Sequence, residues 1–347
     1  MTIKVLVVDD SSVMREVLSR MLQREGDITV VGTAVDPLDA RVKIKDLSPD
    51  VVTLDIQMPG MNGLAFLDRL MRLHPLPVVM VSTLTTKNAS ETLLALELGA
   101  VDFVSKPSSH DGGIEAFGPT LRGKVRAAAA SQIGVREHRA PVPAVPLTTA
   151  AGPEGAVIAI GASTGGVEAI RVVLADIPTD CPPIVIAQHM PEGFTARFAA
   201  RLDELTALRV VEAEDGMPLA VGSAYVARGN YHLRIERRSG ELRARFGRDE
   251  PVSGHRPSVD VLFESVAEIA GPLASGVILT GMGRDGATGL KRIRDAGGHT
   301  IGQSPTSALV YGMPRVAFEE GAVVEQAPVE QISRRLAAAL NRLKSAA

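Results

Sequence analysis

The chain has 347 residues, a formal net charge of -3 and one cysteine, Cys181, which leaves room for two domains with a core each and excludes an internal disulfide or a thiolate metal site. Acidic and basic residues are interspersed, there is no Trp and aromatic residues make up 3%, so neither a phosphate-backbone footprint nor a base-stacking platform is present and nucleic acid is not an expected partner. The first apolar run stops at Asp9 and Asp10, short of a signal-peptide core or a membrane span, so a cytoplasmic protein without direct membrane insertion is expected.

From Lys4 to Pro107, short β-branched runs alternate with longer amphipathic stretches, the pattern of parallel strands covered by helices. Strands are predicted over 4–8, 28–33, 51–54, 77–81 and 101–104, and a last helix over 114–130. Continuous apolar runs such as Val51-Val52-Thr53-Leu54 suit strands buried on both faces, which points to a flavodoxin-like domain with a five-stranded parallel sheet. The residues with chemistry to offer fall where these strands end: Asp9 and Asp10, Asp55, Ser82 and Lys106. In an open parallel sheet those ends share one crevice. Three carboxylates there call for a hard divalent cation, and Asp55 could then attack a phosphoryl group whose charge the metal, Lys106 and Ser82 would stabilise.

The order and spacing of these five residues, and the Lys106-Pro107 step, resemble the response-regulator receiver family over residues 3–107. The resemblance implies that Asp55 is the phosphoacceptor and that Asp9, Asp10 and Asp55 hold Mg2+. It also implies that Ser82 and Lys106 sense the phosphate and that Phe103 is the aromatic switch residue.

Residues from about Gln132 to Gly155, with Ala-Pro-Val-Pro-Ala-Val-Pro at their centre, lack periodicity and read as an extended linker. The expected division is a receiver over 1–131, a linker over 132–153 and a second, doubly wound, mainly parallel α/β domain over 154–347. Strands are predicted there over 156–160, 184–187 and 277–280, with shorter strands joined by turns between 210 and 246.

The first of these strands runs into Gly161-Ala-Ser163-Thr-Gly165 and an amphipathic stretch. Strand, tight turn and helix is the setting of a Gly-x-Ser-x-Gly nucleophile, although a Gly-rich turn of this kind can equally cradle a phosphate. Two further strand ends favour the nucleophile: one is followed by His189 and the other by Asp285. Serine, base and orienting carboxylate would meet in one crevice. Taken singly, His189 reads equally as a structural histidine and Asp285 as a turn residue.

The order Ser, His, Asp is not that of the usual α/β-hydrolases. The segments Gly161-Ala-Ser-Thr-Gly-Gly166, Gln188-His-Met-Pro-Glu-Gly-Phe-Thr195, His255-Arg-Pro-Ser-Val-Asp260, Gly281-Met-Gly-Arg-Asp-Gly286 and Tyr311-Gly-Met-Pro314 resemble the CheB family of chemotaxis protein-glutamate methylesterases. That resemblance implies that Ser163 is the nucleophile, His189 the base and Asp285 its partner, with the Met282 backbone in the oxyanion hole. Thr164, Arg256 and Asp260 would be near neighbours, contacting substrate or holding loops; His232 and His255 stay outside the triad.

It further implies hydrolysis of glutamate methyl esters on methyl-accepting chemoreceptors, with deamidation of receptor glutamines as a second activity and no cofactor for the esterase step. A chemotaxis histidine kinase would be the phosphodonor, and the unphosphorylated receiver would restrain the hydrolase. Two positions depart from the family pattern: Arg228, where Pro is common, and Gln303-Ser-Pro-Thr306, which lacks an acidic residue often found there. The competing reading is a binding module, a receiver fused to a degenerate hydrolase.

Overall fold

The computed structural model describes residues 2–58, 62–83, 86–106, 113–133 and 149–346. Pro107 and most of the segment read as the linker lie outside the described residues. The chain divides into two compact units, Met1–Arg139 and Ala140–Ala347.

The first unit alternates β1 (Ile3–Val8), α1 (Ser12–Leu22), β2 (Ile28–Ala34), α2 (Pro37–Leu47), β3 (Val51–Asp55), α3 (Gly63–Leu73), β4 (Val78–Ser82), α4 (Thr86–Glu97), β5 (Asp102–Ser105) and α5 (Gly113–Ala129). The sheet is parallel throughout, in the order β2-β1-β3-β4-β5. Every residue of β3 and β4 is buried, as their unbroken apolar character requires when helices cover both faces. Strand order reverses between β1 and β3, which opens the crevice at their C-terminal ends. Local chemistry sets the turns: Asp36 caps α2 by accepting the Leu38 and Asp39 N–H groups, with Pro37 at its first position.

The second unit contains β6 (Val157–Ala162), α6 (Gly166–Ala175), β7 (Ile184–Gln188), α7 (Thr195–Leu205), β8 (Arg209–Glu212), β9 (Ser223–Val226), β10 (His232–Arg238) and β11 (Glu241–Gly247). These are followed by α8 (Val259–Ala270), β12 (Ala274–Ile278), α9 (Ala287–Asp295), β13 (His299–Gln303), α10 (Met313–Glu319), β14 (Glu325–Ala327) and α11 (Val329–Ala346). Seven strands form one parallel sheet in the order β14-β13-β12-β6-β7-β9-β8. The chain builds outward from β6 on one side and returns on the other through β12, so the switch point lies between β6 and β12.

β10 and β11 form a separate antiparallel hairpin closed by Ser239 and Gly240, both at positive φ, the geometry that matches strand twist in a two-residue turn. Its apolar side, Leu233, Ile235 and Ala244, joins Leu262, Phe263 and Val266 of α8 in the core.

The strand predicted over 277–280 instead runs Ala274–Ile278. Ser275 and Gly276 have weak strand propensity, but α9 packs so closely that a Cβ on Gly276 would lie 2.6 Å from Leu290. Packing, not propensity, selects the small residue.

Candidate active site

β6 ends at Ala162, and the chain turns through Ser163, Thr164 and Gly165 into α6. Gly165 adopts φ +76°, and a Cβ there would lie 2.8 Å from Leu309, so only glycine turns the chain here without strain. The Ser163 N–H donates to Thr280 O at 3.0 Å, which ties the turn to the end of β12. Thr280 Oγ1 donates to Thr164 O at 2.9 Å and accepts from the Val310 N–H at 2.9 Å. Gly281 completes the approach, since a Cβ on it would lie 2.7 Å from Ser163 Cβ.

β7 delivers His189. Its Nδ1 lies 3.1 Å from Ser163 Oγ and its Nε2 lies 2.7 Å from Asp285 Oδ2. An ionised carboxylate can only accept, so Nε2 carries the proton and Nδ1 is left as the acceptor for the serine hydroxyl. The three predicted residues therefore meet, with the two ring nitrogens assigned by the partners they face.

Asp285 is held by α8. The Val259 N–H donates to Oδ2 at 2.7 Å, and the Ser258 hydroxyl and Asp260 N–H donate to Oδ1 at 2.7 and 3.1 Å. Burial works to raise the Asp285 pKa, but the hydrogen bond and charge of His189, followed by the bonds from Ser258 and Val259, outweigh it and hold the group at about 2. Asp260 moves the other way: burial pushes it up to about 6 against the Gly289 N–H that it accepts at 2.7 Å, and the charge of Asp285 adds to the rise. Asp260 thus joins α8 to α9 beside the triad.

Two histidines left outside the triad also support it. His255 stacks on His189 with ring centroids 3.6 Å apart and planes 11° from parallel. His232 is fully buried, and its Nε2 donates to Glu250 O at 3.1 Å while Nδ1 accepts the Ser258 N–H at 3.2 Å, so it fixes the residue that caps α8. The signal in the sequence was the run His255-Arg-Pro-Ser258 ahead of a helix; the stacking crosses 66 residues and leaves no local pattern.

Arg256 is engaged by loop residues. Its guanidinium donates to Asn230 Oδ1 at 2.7 Å and to the carbonyls of Arg248 and Asp249 at 3.2 and 3.0 Å, joining two loops. Thr164 is buried and the Met282 side chain is 41% exposed; among the described residues, the Met282 N–H donates to no protein acceptor. Of the two departures from the family pattern, Arg228 pairs with Glu192 at 2.7 Å. Gln303 accepts the Thr280 N–H at 2.7 Å, and the Ser304 and Thr306 hydroxyls bond each other at 2.7 Å. A cleft of about 560 Å³ past β8 and β9, lined in part by Glu214, Arg228, Tyr231 and Arg248, contains no triad residue.

The first unit gathers Asp9, Asp10 and Asp55 with ligand oxygens within 4.8 Å of one another. Lys106 Nζ lies 2.8 Å from Asp9 Oδ2 and 2.7 Å from Asp55 Oδ2. Burial raises the Asp55 pKa above the usual range, opposed by Lys106 and aided by the Asp9 charge. Lys106 is raised too: burial lowers it, and the bonds to Asp55 and Asp9 prevail. Ser82 is buried at the end of β4, and Phe103 is buried in β5 with Lys124 Nζ 5.0 Å from its ring centroid. An all-oxygen donor set with one lysine against three carboxylates fits Mg2+.

Residues 158–336 match the family model described as CheB methylesterase, and residues 5–117 match the response regulator receiver domain. The protein-glutamate methylesterase/protein-glutamine glutaminase 1 of Caulobacter vibrioides is 54% identical over 335 residues, covering 96% of this chain and 97% of that protein. The one of Dechloromonas aromatica is 51% identical, covering 97% and 98%. Among solved structures, the CheB methylesterase catalytic domain of Thermotoga maritima aligns with a TM-score of 0.53 at 36% identity, over 54% of this chain and 99% of that one. With matches spanning nearly its full length, the chain belongs to the CheB methylesterase family and carries a response regulator receiver domain ahead of the catalytic domain.

Proposed function

We propose that this chain is a phosphorylation-activated esterase that hydrolyses glutamate methyl esters on chemoreceptors, releasing methanol, and deamidates receptor glutamines by the same route. Ser163 Oγ attacks the side-chain carbonyl as its proton passes to His189 Nδ1, and the N–H groups of Thr164 and Met282 receive the developing oxyanion. The tetrahedral adduct collapses when His189 returns the proton to the leaving oxygen, expelling methanol and leaving a glutamyl ester on Ser163. Water then gives a proton to His189 and attacks that ester, restoring the serine and freeing the carboxylate. With glutamine the leaving group is ammonia. Asp285 stays ionised and stabilises the imidazolium without taking its proton. The observation that carries this reading is the unbroken line Ser163–His189–Asp285 at 3.1 and 2.7 Å.

In the receiver, residues 1–131 by this reading, Asp55 accepts a phosphoryl group from a chemotaxis histidine kinase. Asp9, Asp10 and Asp55 would hold Mg2+, which would supply positive charge for that transfer. Lys106, which pairs with Asp9 and Asp55, follows the new charge, as does the Ser82 hydroxyl. Phe103 reports the change as the aromatic switch. Phosphorylation shifts the population of domain arrangements toward one in which the catalytic segment 154–347, joined through 132–153, is free to act. Such an enzyme works in the cytoplasm, where the kinase and the receptor's methylated segments are; among the described residues no helix is long and apolar enough to cross a membrane.

The test is methanol release from methyl-labelled receptor membranes with Mg2+, with and without a small phosphodonor. Release should rise with phosphodonor and fall by about 10⁴-fold or more in Ser163→Ala. Near-wild-type release by Ser163→Ala removes the nucleophile; release indifferent to phosphodonor removes the regulation.

A further inference from the structure

Gln188, the last residue of β7, bonds through its side chain to the backbone of both Ser163 and His189. Its Nε2 donates to Ser163 O at 2.9 Å and to His189 O at 3.3 Å. Its Oε1 is buried with no partner among the described residues and packs on Gly166, where a Cβ would lie 2.1 Å from that oxygen. Rotating the amide would turn the oxygen toward two carbonyl oxygens, so the acceptors fix its orientation. A buried acceptor left unsatisfied costs stability, and here it accompanies two donations into the catalytic backbone.

The Ser163 carbonyl shares a rigid, planar, trans peptide with the Thr164 N–H, which points the opposite way. Ser163 O is held twice, by Gln188 Nε2 and by the Gly166 N–H at 2.8 Å. Holding that oxygen aims the Thr164 N–H, the amide that follows the nucleophile and donates to the oxyanion in strand-turn-helix serine hydrolases. The second donation, to His189 O, ties the base to the same carboxamide. We infer that Gln188 is a positioning residue for this reaction: it aims the Thr164 amide at the oxyanion and fixes the backbone spacing between Ser163 and His189. The small residue at 166 is part of the same device, because any side chain there displaces the carboxamide.

The inference rests on the esterase reading and is tested with a small ester, p-nitrophenyl acetate, and with phenylboronic acid, whose serine adduct mimics the tetrahedral state. In the full-length protein, Gln188→Met should lower kcat by about 10- to 100-fold with KM within about twofold of wild type. Boronate affinity should fall by the same factor. The pH at which kcat/KM is half-maximal should not move, because His189 and Asp285 keep their contacts. A kcat within about twofold of wild type overturns the inference, as does a loss confined to KM or undiminished boronate affinity. If Gln188→Met does not fold, Gly166→Ala displaces the intact carboxamide and must show the same pattern. Should the wild type turn over no ester at all, the esterase reading fails, while the ratio of boronate affinities still decides the role of Gln188.

Discussion

Asp55, the last residue of β3, and Asp285, past the end of β12, are both buried, yet their surroundings drive them in opposite directions. Asp55 has one lysine and a neighbouring carboxylate, and burial wins, so its pKa is raised. Asp285 receives a histidine N–H, a hydroxyl and two N–H groups at the start of α8, and burial loses. Desolvation alone thus does not set the charge of a buried carboxylate; the count and aim of donors does. The contrast matches the work proposed for each. A group that would accept a phosphoryl sits in an under-neutralised pocket that a cation would complete, whereas one that would have to stay ionised through every turnover is saturated with donors.

The hardest test of this contrast is Asp285→Asn, which keeps the shape and removes the charge. An amide no longer enforces the proton on Nε2 of His189, and kcat for methanol release should fall by about 10³- to 10⁴-fold. The matching change in the other crevice, Asp55→Asn, should abolish all stimulation by phosphodonor and leave basal release within about twofold of wild type; parallel release assays on the two variants check the separation. Ser258→Ala removes one donor and one helix cap together. It should lower kcat by about tenfold and destabilise α8 by about 1 kcal/mol, measurable as kcat at fixed pH and as urea midpoint.

The smallest effect is the most diagnostic. Asp260 has a folded-state pKa raised to about 6, so its ionised form disfavours the folded state above the unfolded pKa of about 3.9. Asp260→Asn should therefore raise Tm at pH 7, with the gain shrinking as pH falls from about 6 and gone near pH 4. Asp285, held at about 2, does the reverse: the stability it contributes is complete above the unfolded pKa of about 3.9 and is lost as pH falls through its folded pKa. Melting curves across pH 3–8 for the wild type and Asp260→Asn separate the two signs.

Sequence reasoning singled out Ser163, His189 and Asp285, which the fold brings within hydrogen-bond distance, because each follows a strand whose apolar run is unmistakable, and it singled out the receiver residues for the same reason. It missed β13 and β14. His299–Gln303 begins and ends with polar side chains and contains Gly302, and Glu325–Ala327 spans three residues, so neither carries a strand's alternation or length. It also misjudged where β12 begins, because the pressure for Gly276 comes from Leu290, which no local window sees. The orientation of the His189 ring was beyond reach for a similar reason. Which nitrogen faces Ser163 depends on the entry of β7 relative to α8, and the stacking partner His255 arrives from a loop 66 residues later.

The hydrogen bonds described above that support Ser163 and His189 all come from residues of one unit, Ala140–Ala347. Under the proposed regulation, the receiver would act on the access of substrate to this site rather than on its chemistry. Sensitivity to signal and catalytic rate constant would then be separately adjustable traits: changes in the receiver would retune how strongly adaptation responds to a stimulus and leave the turnover of each admitted ester constant.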